Sequence, residues 1–202
     1  MIASVLHLSR EDFQIIKNEN NGVFDTYTIH KLVYSLFPQE NETTRTFLFL
    51  YKGGNFQEKR IILLSKNKPK KPNIGFLESK EIPAAFLDQD YYGFEVQINP
   101  VRCDSKTKKL IPIKGKQEIA RWFSEKSSSF GFEILPASLS ISDTDVVQFD
   151  KKDKKVVLAK AVCTGRLKVT NRSLFIKSFE NGLGRGKAFG FGLLQIVPLY
   201  NA

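Results

Sequence analysis

Sulfur and histidine are scarce in this chain of 202 residues, which holds two Cys, one Met and two His. Cys103 and Cys163 lie far apart and form no CxxC pair. Neither a disulfide framework nor a structural zinc site is therefore expected. Each Cys reads as a small core-type residue, and the default compartment is a reducing one, the cytoplasm. The two His have no ligand spacing and no acidic pair stands out, so no metal and no cofactor are expected. Long apolar runs are missing as well. None approaches the ~20 residues of a membrane-spanning helix. The opening MIASVLHLSREDF is too short in its apolar part for a secretory signal and gains acids too early. Negative charge is also in deficit: 21 Asp and Glu face 31 Lys and Arg, a net charge of +10. That balance points to a polyanionic partner, either nucleic acid or an acidic membrane surface.

What is present suffices for real cores, with 42% hydrophobic residues and 17 Phe. The length fits one large domain or two small ones. The positive charge is localised. Residues 150–187 carry eleven Lys and Arg against three acids. A second basic run holds Lys66, Lys68, Lys70 and Lys71, whereas the first 45 residues carry no such excess. A localised excess describes a binding surface better than general solubility does.

Residues 2–8 read as a strand. Residues 25–38 (DTYTIHKLVYSLFP) read as the clearest helix, capped by Asp25 or Thr26 and stopped by Pro38. Ile29, Leu32, Val33, Leu36 and Phe37 mark its core face. Tyr27, His30 and Tyr34 fall on another side, which puts His30 at or beyond the edge of the buried stripe. Residues 45–51 and 59–65 predict a hairpin across Gly53-Gly54-Asn55. Residues 78–88 predict a short helix or irregular segment, and the alternation in 92–99 a strand. The order β-α-β-β-α-β is the ferredoxin-like unit. The second half repeats it: a Lys-rich extended segment at 102–113, a helix at 116–128 and a strand at 132–140. Strands at 146–149 and 156–162 then close on the turn DKKDKK, and a helix at 172–181 and a strand at 189–197 complete the order. The expected fold class is α+β, with two tandem ferredoxin-like (RRM-like) domains, each an antiparallel sheet with helices on one face. The domains are placed at 1–90 and 91–202, with the boundary somewhere in 88–103.

Five glycines occupy eleven residues from Gly182 to Gly192, with Arg185 and Lys187 among them. Such a loop strips side chains from the backbone, so that its N–H groups approach phosphates closely. Gly182, Gly184, Arg185, Gly186 and Lys187 are therefore candidates for a nucleic-acid backbone. A glycine-rich connection packed on its own sheet stays open as the plain alternative. Asn181 stands where a Walker A loop has its first Gly, and Ala188 where it has Ser or Thr. The loop also runs from helix to strand, the reverse of a nucleotide-binding turn. The DKKDKK turn offers Lys151, Lys152, Lys154 and Lys155, with Lys160 further along the same ribbon. Lysines at a ribbon tip suit a nucleic-acid groove, or else simply solvent. His30 beside Tyr27 suits metal-free acid–base chemistry on RNA, whose 2′-hydroxyl attacks the adjacent phosphodiester. DNA has no such nucleophile. A lone helical His also occurs as an ordinary surface or core residue.

Three segments resemble the CRISPR-associated endoribonucleases of the CasE type, the RNA-processing subunit of the Cascade complex. The first is Asp25-x-Tyr27-x-x-His30 with Phe37-Pro38, followed by Arg45-x-Phe47-Leu48-Phe49. The second is Phe94-x-x-x-x-Asn99-Pro100. The third is Gly182-x-Gly184-x-x-Lys187-x-x-Gly190-x-Gly192-Leu193-Leu194. The resemblance implies tandem ferredoxin-like domains and metal-free cleavage of precursor CRISPR RNA at the 3′ base of each repeat stem-loop. It implies a 5′-hydroxyl and a 2′,3′-cyclic phosphate or 3′-phosphate as product ends, with the hairpin kept bound. It also implies His30 as the catalytic residue, Tyr27 as its partner and a polar or basic group at Lys31, which makes Lys31 the third catalytic candidate, for the charge of the phosphorane. The DKKDKK turn becomes the family's groove-inserted hairpin, here built of Lys where Arg would make bidentate contacts. The implied partners are the repeat RNA and other Cascade-type subunits. No membrane and no direct DNA contact are implied, and the isolated chain is expected to be a monomer. The rival expectation is a non-catalytic RRM-like subunit of a ribonucleoprotein. The RRM stacking signature is absent, and 187–191 only partly echoes it.

Overall fold

The computed structural model describes residues 1–40, 45–151 and 154–200. The chain opens with β1 (Ile2–Ser9), α1 (Arg10–Glu19) and α2 (Thr26–Ser35). It continues with β2 (Phe47–Gly54), β3 (Glu58–Ser65) and β4 (Phe76–Glu81). These strands form one antiparallel sheet in the order β2-β3-β1-β4. Next come β5 (Tyr91–Ile98), the short β6 (Val101–Cys103) and β7 (Leu110–Pro112), and α3 (Lys116–Ser127). They are followed by β8 (Phe132–Ile134), β9 (Ser140–Lys151), β10 (Lys154–Val169), α4 (Arg172–Asn181) and β11 (Leu194–Pro198). The second sheet runs β11-β5-β10-β8. The strand order of the ferredoxin-like unit thus occurs twice. β9 is an extra strand that pairs with the first half of β10 and turns both into a long arm. β6 and β7 form a separate two-stranded ribbon.

Four expectations are corrected. Residues 78–88 are not a helix: β4 occupies 76–81, and only a single 3₁₀ turn follows at Ala84–Leu87. β4 is an edge strand exposed along most of its length, so burial leaves little alternation to read. The strand at 91–98 does not close the first unit. It lies between β11 and β10 in the second sheet, because β4 already fills the open edge of β1. The first unit therefore has no second helix, and residues 66–75 join β3 to β4 directly. The arm is also longer than 146–149 and 156–162 imply, and β11 begins at Leu194 rather than 189.

Local chemistry accounts for the helices that position the site. Ser9 caps α1 in a capping box, its Oγ accepting from Asp12 N while the Asp12 carboxylate accepts from Ser9 N. The Asp25 carboxylate accepts from Thr28 N at 2.8 Å and starts α2. Ile29, Val33, Leu36 and Phe37 are buried against Leu6, Leu8, Phe47, Phe49, Ile61 and Leu63 of the first sheet. The other face of that sheet gives Leu48, Leu50 and Leu64 to a second core shared with Val96, Leu183 and Leu194. The two halves are thus joined through apolar contact as well as through the chain.

Arg172 clamps the connection between them. Its guanidinium donates to Leu87 O at 2.8 Å, to Gln89 O and to the Asp90 carboxylate at 2.5 Å. Buried Tyr92 holds the same segment, donating its hydroxyl to Phe86 O and accepting from Gln89 N. Arg172→Ala removes a charged donor from two carbonyls and is expected to destabilise by about 2 kcal/mol. In a chain of this size that lowers the thermal midpoint by roughly 4–8 °C, measurable by calorimetry.

Candidate active site

Helix α2 presents Tyr27, His30 and Tyr34 along one side. The glycine-rich segment comes to meet them from 158 residues away in sequence. His30 Nδ1 lies 2.8 Å from Ala188 O. A carbonyl only accepts, so Nδ1 carries the hydrogen and proton exchange falls to Nε2. The ring is 5.3 Å from the Phe189 ring, 4.2 Å from Tyr34 and stacked on Tyr27 at 5.6 Å. His30 is accordingly buried, not at the edge of the stripe as α2 alone predicts. Part of its cover, Ala188 and Phe189, comes from residues that a helical wheel of α2 does not contain.

The loop that delivers Ala188 is closed at its neck. Leu183 N donates to Gly192 O at 2.8 Å, and Gly192 N donates to Gln97 O at 2.8 Å. The Gln97 side-chain amide donates to Gly190 O at 3.2 Å. Strand β5 thereby fixes the loop from beneath. Gly192 has φ +81°, and a Cβ there would lie 2.2 Å from Leu183 O, so only glycine fits. A 3₁₀ turn at Lys187–Phe189 carries the carbonyl under the imidazole.

The arm reaches the same place. Phe149 of β9 lies 4.6 Å from Phe189 and parallel to Tyr27 at 6.5 Å. Lys151 Nζ lies over Phe189, 5.4 Å from the ring centroid. Lys160 borders a small cavity between arm and helix, about 100 Å³, with Thr26, Val147 and Phe189. Lys155 is exposed further out on the arm. Lys152 lies outside the described residues, as does the side chain of Lys154. Arg185 is exposed on the loop, with Gly182, Gly184 and Gly186 at its bends.

Lys187 is half-buried beneath the loop. Burial and the nearby Arg45 guanidinium together push its amine below the usual lysine range. Arg45 Nη1 donates to the Tyr34 hydroxyl at 3.2 Å, and Tyr34 contacts His30. Arg45 is thus a site neighbour to which the sequence pattern gives no role, whereas Tyr34 belongs to the aromatic side that the helix spacing marks. Tyr34 stands one helical turn from His30, and Arg45 heads the strand beside α2, so spacing was the available signal. The Lys31 amine donates to Asn20 Oδ1 at 2.5 Å, at the end of α1, and lies over the Tyr27 ring. His7, the other His, is bound at Nδ1 to Glu58 at 2.5 Å, where β1 pairs with β3. Among the described residues no group of three or more His, Cys, Asp or Glu gathers to hold a metal ion. None of the described helices is long and apolar enough to cross a membrane.

Two tandem ferredoxin-like halves, with an imidazole, phenols and cations gathered at a glycine-rich bend, define a class of basic two-domain proteins. The chain belongs to the CRISPR associated protein family, whose model matches residues 4–198, and it is of the CasE type. It is 30% identical over 115 residues to the CRISPR-associated endoribonuclease Cse3 of Thermus thermophilus. That match spans about half of each protein, 52% of this chain and 54% of the relative. It is 24% identical over 193 residues to the Cascade subunit CasE of Escherichia coli K-12, covering 87% and 93% of the two chains. Among solved structures, Cse3 bound to a 19-nucleotide RNA superposes with a TM-score of 0.82 at 19% identity, over 98% of this chain and all of that one.

Proposed function

We propose that this chain is an endoribonuclease that cuts precursor CRISPR RNA at the 3′ base of the repeat stem-loop, without a metal, and then holds the product hairpin. It works in the cytoplasm beside other Cascade-type subunits, with RNA rather than DNA as its direct ligand. The observation that carries the reading is the contact between His30 and Ala188 O. It joins the single imidazole of α2 to the loop best suited to phosphates. The gathered groups are an imidazole, phenols and cations, a set that suits proton transfer and charge stabilisation.

In the proposed step the 2′-oxygen forms a bond to phosphorus and the bond from phosphorus to the 5′-oxygen breaks. The 2′-hydroxyl proton leaves to a base, and the departing 5′-oxygen takes a proton. The products are a 2′,3′-cyclic phosphate and a 5′-hydroxyl, so atoms and charge balance. His30 Nε2 moves a proton in this exchange, with Nδ1 fixed by Ala188. Tyr27, stacked on the imidazole, orients the ribose. Arg45, joined to His30 through Tyr34, and Lys187, next to Ala188 in the chain, supply charge for the phosphorane, whereas Lys31 acts through the Tyr27 ring. Loop amides and Arg185 take neighbouring phosphates.

A repeat hairpin incubated with the protein in EDTA tests the reading. A cut with a 5′-hydroxyl end, blocked by a 2′-deoxy substitution at the cut linkage, is the expected result. Binding without any cut supports a non-catalytic RNA-binding subunit instead. Replacing Lys151, Lys152, Lys154 and Lys155 together with Ala is expected to weaken hairpin binding and flatten its salt dependence. The log–log slope should fall by about 0.7–0.9 for each phosphate that is no longer neutralised. Filter binding over a salt series reads this, and an unchanged slope places the turn off the interface.

A further inference from the structure

The arm has two faces, and only one looks at the site. Val147 and Phe149 lie toward α2, and Lys160 borders the spaces on both sides of the arm. Their neighbours Val146 and Val157 point the other way and are largely exposed. Across that second face stands the β6–β7 ribbon. A groove of about 420 Å³ separates the two, with Val101, Leu110 and Pro112 on one side and Val146, Val157 and Ala159 on the other.

The ribbon is basic. From the ribbon to the start of α3, residues 101–116 hold Arg102, Lys106, Lys108, Lys109, Lys114 and Lys116 against one acid, Asp104. All six cations are exposed, and none makes an ion pair among the described residues. The one acid is occupied by the tip itself. Asp104 Oδ1 accepts from Thr107 N at 2.6 Å, from the Thr107 hydroxyl at 2.8 Å and from Lys106 N at 3.1 Å. Asp104 N donates to Lys109 O, and Lys108 N donates to Asp104 O, which shapes the tip into a defined turn. The carboxylate fixes the backbone of the turn, and the cation whose charge it feels is Arg102 rather than a lysine.

We infer that the β6–β7 ribbon is a second RNA-gripping element, which takes the backbone of the strand of the stem that is not cut. The inference rests on the RNA-processing reading above. A duplex engaged by the arm has two backbones. The cut strand belongs on the face toward His30, and the other strand then passes the face toward β6–β7. Unpaired lysines are mobile point charges that suit phosphates without reading sequence. Cations on both sides of one arm match a polyanion with two strands better than they match a single acidic peptide.

Replacing Lys106, Lys108 and Lys109 with Ala in the whole chain, with hairpin binding measured across a salt series, tests the inference. The expected result is an affinity lowered by about tenfold or more near 0.1 M salt and a log–log slope shallower by about two. The corresponding triple Arg variant should restore both. A second readout uses Cys103, exposed on this ribbon, as the attachment point for a photo-crosslinker. Cys163 does not compete, because it is buried and its thiol is pushed up to about 12. Crosslinks are expected on the uncut strand of the stem. An unchanged slope, or crosslinks absent or confined to the cut strand, overturns the inference, including where the groove instead receives a protein subunit. Failure of the unaltered protein to cut the hairpin, with the slope change still present, overturns the catalytic reading and leaves the second grip standing.

Discussion

His30→Ala is expected to lower the single-turnover cleavage rate by about 10²- to 10⁴-fold, the usual worth of a positioned acid–base group. Hairpin affinity should change little by comparison, since the proposed function gives the gripping to the cations of the arm and loop. The variant also removes a buried ring packed against Tyr27, Tyr34 and Phe189, and it leaves Ala188 O without its donor. A loss of rate through collapse of the loop must be told apart from a loss through chemistry. His30→Gln keeps most of the volume and a donor for the carbonyl but cannot exchange a proton near neutrality. It should lose as much rate as the Ala variant while keeping more of the thermal stability. Rapid-quench assays at saturating protein, paired with calorimetry, read both. A Gln variant with near-normal rate would remove His30 from the chemistry.

Gly192→Ala is expected to be severely damaging although it changes a single hydrogen to a methyl. Ala in the left-handed region costs about 1–2 kcal/mol by itself. Here the methyl would also meet Leu183 O at 2.2 Å, and that oxygen is backbone, held in the neck of the loop. The neck must open, and the total cost is expected to be about 3 kcal/mol or more. Gly184 supplies the contrast. It too has a left-handed φ, +68°, but nothing lies within 4 Å of the added methyl. Gly184→Ala should cost only about 1 kcal/mol. For a chain of this size the thermal midpoints should fall by roughly 6–12 °C and 2–4 °C respectively. Because the neck carries Ala188 to His30, Gly192→Ala should also lose cleavage even at temperatures where it stays folded. Equal midpoints for the two variants would show that the neck is not held as described.

How much of this was legible beforehand follows from the range of the interactions. Helix α2 was readable because its signals are local: the Asp25 cap, the apolar spacing and the aromatic side. Helix α1 carries an equally local capping box at Ser9 and Asp12, and that signal was there to be used. The burial of His30 was not readable from α2, because its cover is Ala188 and Phe189. Only the topology, with β5 holding the loop through Gln97, brings them near. Arg45 was missed for the same reason, since its meaning depends on Lys187 and Tyr34 together. The misplacement of residues 91–98 has another cause. Alternation told that they form a strand but not which sheet owns it, and an exposed edge strand such as β4 hides the competitor. The glycine-rich segment was recognised through composition, yet its neck hydrogen bond between Leu183 and Gly192 is a tertiary fact.

A crystal structure of the protein with a repeat hairpin carrying 2′-deoxyribose at the cut linkage would show where the reacting atoms sit. His30 Nε2 is expected within about 2.6–3.2 Å of the reacting ribose or its leaving oxygen, with Lys187 or loop amides at the same phosphate. A cut linkage seated away from α2, or one reached by the loop and not by the imidazole, would contradict this placement.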